Sequence, residues 1–179
     1  STPIKSSAAS DVYKRQAYIL LSVYGFAASI FSFVIGHFWF QSPKNMVLTV
    51  LFYASLFLIG LQFGAVTLMP MIMTADTVDY YEYETGKRME GACYSILTLT
   101  IKVCLALGTA VGLIFVQKSG YYESLTAGTF TTKTKDIIFF AYTALPGILA
   151  LISIFPMFKY DIVGEKKAKI SSELAARRK

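Results

Sequence analysis

The chain has 179 residues, with 17 Lys and Arg against 11 Asp and Glu, for a formal net charge of +6. Its hydrophobic fraction is 55% and its mean hydropathy is +0.53, too apolar for a soluble domain of this size. That balance excludes a soluble enzyme, and the basic charge is distributed along the chain in a way that matches no nucleic-acid site.

Residues 1–16 hold no cleavable signal peptide, because no apolar core precedes Ala17 and no small-residue cleavage site follows one. Residues 11–16, Asp-Val-Tyr-Lys-Arg-Gln, read as a direct translation of the transposon end used in sequencing libraries. Residues 1–16 are therefore expected to be a non-native leader, with the true protein continuing upstream.

Crossing a hydrocarbon core of about 30 Å takes about 20 apolar residues in a helix. Four stretches qualify: 17–40, 46–75, 92–117 and 137–158. Gly60, Gly64, Pro70, Gly108, Gly112, Pro146 and Gly147 lie inside them; such residues weaken soluble helices but are common in membrane ones. Aromatic clusters stand near the ends, at Phe38, Trp39 and Phe40, at Tyr80 and Tyr81, and at Phe158 and Tyr160, as an interfacial belt requires. The fold predicted is all-α, with four transmembrane helices.

Within the first span, His37 is the sole histidine and is expected to be structural. The second carries Gln62 and Thr67 at mid-depth, polar groups suited to inter-helix hydrogen bonds or substrate contact. Between the second and third spans comes an acid-dominated link, 76–90, with Asp76, Asp79, Glu82, Glu84 and Glu90 against Lys87 and Arg88. Carboxylates at the end of a helix oppose its dipole. Asp76 and Asp79 are therefore expected to find a cation, Arg88 above all, because a guanidinium clamps a carboxylate with two hydrogen bonds. A charge cluster of this kind can lock one conformation and release another.

The third span holds Lys102, about 16 Å in from Gly91 and so near the bilayer midplane. A lysine there is costly and is expected to face water, substrate or a partner. Ser95, Thr98 and Thr109 stand at −7, −4 and +7 from it, which places all four on one helix face. Gly108 and Gly112 provide a spacing that permits close helix contact. Cys93 and Cys104 are eleven residues apart on one helix, about 16 Å and beyond disulfide reach. Residues 118–136 read as an external loop. Residues 159–179 read as a tail helix with Ile170 and Leu174 on one face, lying on the membrane or docked under the bundle.

Four spans put both termini and the 76–90 link on one side. That side carries Lys5, Lys87, Arg88, Lys159, Lys166, Lys167, Lys169, Arg177, Arg178 and Lys179, against Lys44, Lys118, Lys133 and Lys135 on the other. The bias predicts cytoplasmic termini. A buried lysine on a polar stripe beside a charged cytoplasmic link points to a membrane transporter. No nucleophile, base or metal constellation suggests an enzyme.

The run Ala75, Asp76, Asp79, Tyr80, Glu82, Tyr83, Gly86, Lys87, Arg88, Glu90, Gly91, Tyr94, Ser95, Thr98, Lys102 resembles the loop joining helices ten and eleven of the glycoside–pentoside–hexuronide:cation symporters, the melibiose-permease branch of the major facilitator superfamily. The tail, with Glu165, Ile170, Glu173, Leu174, Arg177 and Arg178, is similar to that family's ending. The resemblance implies a twelve-helix transporter working by alternating access in a bacterial inner membrane. This chain would supply helices nine to twelve of the carboxyl-terminal six-helix half. It implies that Lys102 and Thr98 line a cavity for a sugar or glycoside; Ser95, on the same helix face, and Thr67, at mid-depth of the second span, are expected to join them. Asp76, Asp79, Glu82, Arg88 and Glu90 would form a cytoplasmic charge network. It further implies a coupling cation (sodium, lithium or a proton) bound by acids of the missing amino-terminal half. No metal site and no covalent cofactor are expected here. Met71 and Leu97 depart from the family pattern, where tryptophan and glutamine are common, so the substrate is left open. Two rival readings are a lipid or drug carrier of the same superfamily and a non-transporting four-helix accessory or sensor protein.

Overall fold

The computed structural model describes residues 3–162 and 164–177, with side chains from Lys14 onward except those of Ala65 and Glu165. Arg178 and Lys179, counted above in the basic tail, lie outside the described residues. The first helix, α1, is Pro3–Gln41, continuous through the expected leader, and α2 is Met46–Thr85. After α3, Glu90–Lys118, come α4, Tyr121–Ala127, and α5, Thr132–Tyr142. The chain ends in α6, Ala144–Ile152, α7, Ile154–Met157, and α8, Glu165–Arg177. Four segments are long and apolar enough to cross a membrane: Lys14–Gln41, Met46–Thr85, Glu90–Lys118 and Thr132–Met157.

Helix α2 starts at a capped turn, where Asn45 Oδ1 accepts from the backbone of Val47 at 3.0 Å and of Leu48 at 3.4 Å. It does not stop before the acidic link. It continues through Asp76, Asp79, Glu82 and Glu84 to Gly86, which takes the left-handed conformation (φ 71°) and donates to Glu82 O at 2.9 Å. Polar side chains alone do not end a helix, and no proline or glycine lies between Pro70 and Gly86.

The fourth span is interrupted twice, and each break has the same cause. Helices α5 and α6 end at Tyr142 and Ile152, four residues before Pro146 and Pro156. A proline ring collides with the carbonyl four residues earlier and offers it no N–H. The span also begins earlier than its apolar run, because Thr131 caps it by accepting from Thr134 N at 3.2 Å. Part of the expected external loop is thus helical, as is α4.

Helix α1 organises the bundle and touches α2, α5, α6, α7 and α8. Its seam is Ser22, Gly25, Ser29, Ser32 and Gly36, spaced 3, 4, 3, 4. The three serines are almost fully buried, and Ser32 Oγ accepts from Ser55 Oγ of α2 at 3.0 Å. The Gln62 side chain lies across Gly25, and the Phe139 ring across Gly36, where a Cβ would collide with each; Gly147 of α6 meets Ser29 in the same way. Small residues let backbones approach and pack by van der Waals contact, which drives association inside lipid. The close approach expected at Gly108 and Gly112 occurs on α1 instead: both of those glycines face open space. Trp39 stacks on Phe52 with centroids 4.5 Å apart and closes the α1–α2 end.

Helix α3 has no buried residue, and its main neighbours among the described residues are α2, α4 and α5. Helix α8 is docked, not free: Ile170 and Leu174 are each 3% exposed, and the helix lies against α2 and α1.

Candidate functional site

Lys102 sits on the outward face of α3 at the edge of an open recess of about 390 Å³, bounded by Tyr94, Ser95, Thr98 and Leu99. Helical spacing of i, i+3, i+7 from Ser95 brings the lysine and the two hydroxyls together. Among the described residues, no ion pair or hydrogen bond engages the Lys102 ammonium. Thr98 Oγ1 donates to Tyr94 O at 2.8 Å, so its proton is spent on its own helix while its lone pairs stay free to accept. The recess therefore offers a strong donor cation beside hydroxyl acceptors, a surface suited to a polyhydroxylated molecule.

Two other predicted residues are elsewhere. Thr109 bonds Leu105 O at 2.9 Å, outside the recess. Thr67 is on α2 and donates to Phe63 O at 2.7 Å; it does not border the recess. A wider cavity of about 820 Å³ lies between α1, α2 and α6, with Tyr18, Gln62, Thr143 and Ser153 among its polar lining. In it Tyr18 OH donates to Ser153 Oγ at 2.9 Å. Sequence reasoning missed this cavity, because Tyr18 and Ser153 are far apart along the chain.

The charged end of α2 divides into two clusters where one was expected. In the first, Arg88 Nη1 lies 3.3 Å from Asp79 Oδ1 and 3.0 Å from Glu82 Oε2, and Arg88 Nη2 lies 3.2 Å from Glu90 Oε2. The Glu82 carboxylate, and then Glu90, raise the Arg88 guanidinium above its ordinary pKa. In the second, buried Asp76 is held by Lys167 Nζ of α8 at 2.7 Å and Lys14 Nζ at 3.5 Å. The Tyr160 hydroxyl donates to it at 3.4 Å.

Asp76 is thus not clamped by Arg88. Because α2 stays helical, Asp79 and Glu82 project toward the turn that bears Arg88, while Asp76, Tyr80 and Tyr83 (i, i+4, i+7) face α8. Lys166 lies over the Tyr80 ring at 5.4 Å, and Arg177 over Tyr83 at 5.4 Å. Lys166 also pairs with Asp161 at 2.7 Å, which lowers the Asp161 carboxyl below its usual range and raises Lys166. Lys87 makes no ion pair among the described residues.

At the opposite end, His37 is not isolated. Its Nδ1 lies 2.9 Å from Asp136 Oδ2 and its Nε2 2.8 Å from Gln41 Nε2. Cys93 and Cys104 are free thiols. Among the described residues, no group of three His, Cys, Asp or Glu could hold a metal ion.

The sequence matches the family described as MFS/sugar transport protein over residues 1–164. A 29.9 kDa protein in the crtE 3′ region of Pseudescherichia vulneris is 26% identical over 151 residues, covering 84% of this chain and 53% of that protein. The inner membrane symporter YicJ of Escherichia coli K12 is 31% identical over 120 residues, covering 67% of this chain and 25% of that protein. The glucuronide carrier protein homolog of the same organism is 29% identical over 110 residues, covering 60% and 23%. The chain spans about half the length of the first relative and about a quarter of the other two. No solved structure matches it.

Proposed function

The chain belongs to the MFS/sugar transport protein family, and on that premise we propose that it forms the carboxyl-terminal part of a cation-coupled symporter for a sugar or glycoside. The resemblance of the 75–102 run to the glycoside–pentoside–hexuronide symporters agrees with the family and with relatives that are symporters and carriers, not enzymes. The observation that carries the reading to a site is the Lys102 recess. Lys102 lies about 18 Å from the Glu90 end of α3 and about 24 Å from its Lys118 end. A cation at that depth costs about 3 kcal/mol on insertion scales unless water, substrate or a carboxylate receives it.

In this reading Lys102 donates to a sugar hydroxyl or ring oxygen, and Thr98 and Ser95 accept from neighbouring hydroxyls. Thr67, on α2 and outside the recess, would contribute to the cavity from the neighbouring helix. The coupling cation (sodium, lithium or a proton) binds to acids outside this chain. The Arg88 cluster with Asp79, Glu82 and Glu90, together with the Asp76 cluster, stabilises one closed arrangement of the cytoplasmic end, and alternating access breaks and remakes these ties. The protein resides in a bacterial inner membrane with both termini cytoplasmic. A lipid or drug carrier of the same superfamily would be favoured by an apolar surface at Lys102, and the hydroxyls of Ser95 and Thr98 argue against it.

The test is Lys102→Leu in the full-length transporter, which removes the charge and keeps the bulk. Cation-driven uptake is expected to fall at least tenfold with normal membrane insertion; unchanged uptake would remove Lys102 from the substrate path. Topology is tested separately, with single cysteines at Ser42 and Ser171 in a cysteine-free background, which should label from opposite sides of the membrane.

A further inference from the structure

At the end of the bundle that carries α4, a groove of about 350 Å³ runs between α1, α4 and α5. Along α5 it is lined by Lys135, Ile138, Phe139 and Tyr142, the i, i+3, i+4, i+7 spacing that sets four side chains on one helix face. Seven residues span about 10 Å of helix. The groove therefore descends two turns along the fourth span, from a cation at its mouth to Tyr142. Phe40 of α1 and Tyr121 of α4 close its sides, and the Phe40 and Phe139 rings pack with centroids 5.5 Å apart.

Lys135 is exposed, and among the described residues nothing pairs with its ammonium. The adjacent carboxylate, Asp136, is taken by His37 at 2.9 Å. Lys133 and Lys135 stand in the opening turns of α5, where the helix dipole disfavours cations, so helix stability does not account for them. Tyr121 at the mouth, with Trp39 beside Phe40 at 5.6 Å, is of the kind that marks the headgroup boundary. A free cation at that level, above an apolar strip aligned with the spanning helix, complements one molecule of the bilayer: phosphate above, acyl chain below.

We propose that this groove binds an anionic glycerophospholipid, with its phosphate on Lys135 and one acyl chain along Ile138, Phe139 and Tyr142. A net negative headgroup is preferred over a zwitterionic one, because choline offsets part of the attraction. One lysine near an anionic surface corresponds to a preference of about fivefold.

The chain itself supplies the reporter. Trp39 is its one tryptophan, and its ring lies 5.6 Å from that of Phe40, so a brominated acyl chain in the groove quenches its fluorescence. The experiment places the 179-residue chain in phosphatidylcholine nanodiscs with a low, equal mole fraction of brominated phosphatidylglycerol or brominated phosphatidylcholine. Brominated phosphatidylglycerol is expected to quench about fivefold more efficiently. Lys135→Gln should abolish the excess, Lys135→Arg should keep it, and Lys133→Gln should leave it intact. Equal quenching by the two lipids overturns the proposal. So does an excess that survives Lys135→Gln, or one that falls as far with Lys133→Gln.

Discussion

Lys167 Nζ on α8 lies 2.7 Å from Asp76 Oδ1 on α2 and ties the carboxyl-terminal helix to the end of the second span. Both side chains are mostly shielded, at 21% and 9% exposure, so the pair is not a surface ion pair of negligible worth. Removing one partner leaves the other charge partly buried, which costs about 1–3 kcal/mol. Lys167→Ala is therefore expected to loosen α8 and raise amide hydrogen exchange across residues 166–177. Ile170→Ala should act by another route, through loss of packing worth about 2–3 kcal/mol, and release the same helix. Exchange on α8 that is unchanged in both variants would mean the helix is held by something other than this contact.

The Arg88 cluster and the Asp161–Lys166 pair respond to pH differently. The Asp161 carboxyl is lowered first by the hydrogen bond from Lys166 and then by its charge. A carboxyl lowered in the folded state contributes stability above its unfolded pKa and loses it as pH falls through its folded value. Asp161 is solvent-exposed, so the effect is small, but it is visible by NMR: Lys166→Ala should move the Asp161 titration back up into the ordinary carboxylate range. Arg88, raised by Glu82 and Glu90, keeps its charge throughout the same acid titration, and its cluster weakens only as the carboxylates protonate.

Helix packing gives a contrast between glycines that look alike in sequence. Gly25 lies under Gln62 and Gly36 under Phe139, whereas a Cβ added at Gly108 or Gly112 would meet nothing within 4 Å. Gly36→Leu is expected to destabilise the chain by about 1–3 kcal/mol through overpacking against the Phe139 ring, and Gly25→Leu by less, because the Gln62 amide can swing aside. Gly108→Leu and Gly112→Leu should leave its stability within about 0.5 kcal/mol. Reversible unfolding in detergent distinguishes the pairs, and equal losses at all four positions would place a helix contact on α3 that this fold lacks.

His37 can be followed alone, because it is the only histidine. Donation of Nδ1–H to Asp136 Oδ2 while Nε2 accepts from Gln41 Nε2 satisfies both ring nitrogens in one neutral tautomer. Nitrogen-15 spectra of the neutral imidazole should therefore show Nδ1 protonated. Asp136→Ala removes the acceptor and should shift the population toward the Nε2–H form. An Nε2–H tautomer in the unmodified chain contradicts the assignment.

The four spans are legible because hydropathy over about 20 residues is a local property, and the Ile170 and Leu174 spacing marks the docked face of α8. Other features escape a sequence reading for identifiable reasons. The acidic run from Asp76 looks like loop material, yet a helix ends where a breaker stops it, and the first after Pro70 is Gly86. The seam of Ser22, Gly25, Ser29, Ser32 and Gly36 is present in the sequence at regular spacing, but five small residues among larger ones make little impression on a hydropathy reading. The partner of Asp76 cannot be read at all. Arg88, twelve positions away, is the nearest strong cation apart from Lys87, while Lys167 is 91 positions away and comes within reach only once α8 folds back on α2.

Within the polar stripe of α3, the structure separates residues that spacing alone groups together. Thr98 borders the recess with Lys102, whereas Thr109 does not; both donate to the carbonyl four residues earlier. Replacing either with valine removes a hydroxyl of similar local role, so the helix itself should be affected equally. In the proposed function, only Thr98, which borders the recess, stands where a substrate hydroxyl can donate to it. In the full-length transporter, Thr98→Val is expected to raise the KM for sugar uptake about tenfold, the loss of one hydrogen bond of about 1.4 kcal/mol, with membrane levels unchanged. Thr109→Val should stay within about twofold of the parent, since its hydroxyl serves only its own helix. Uptake kinetics for the two variants side by side decide whether the recess contacts the substrate, since equal KM values would place the substrate elsewhere in the transporter.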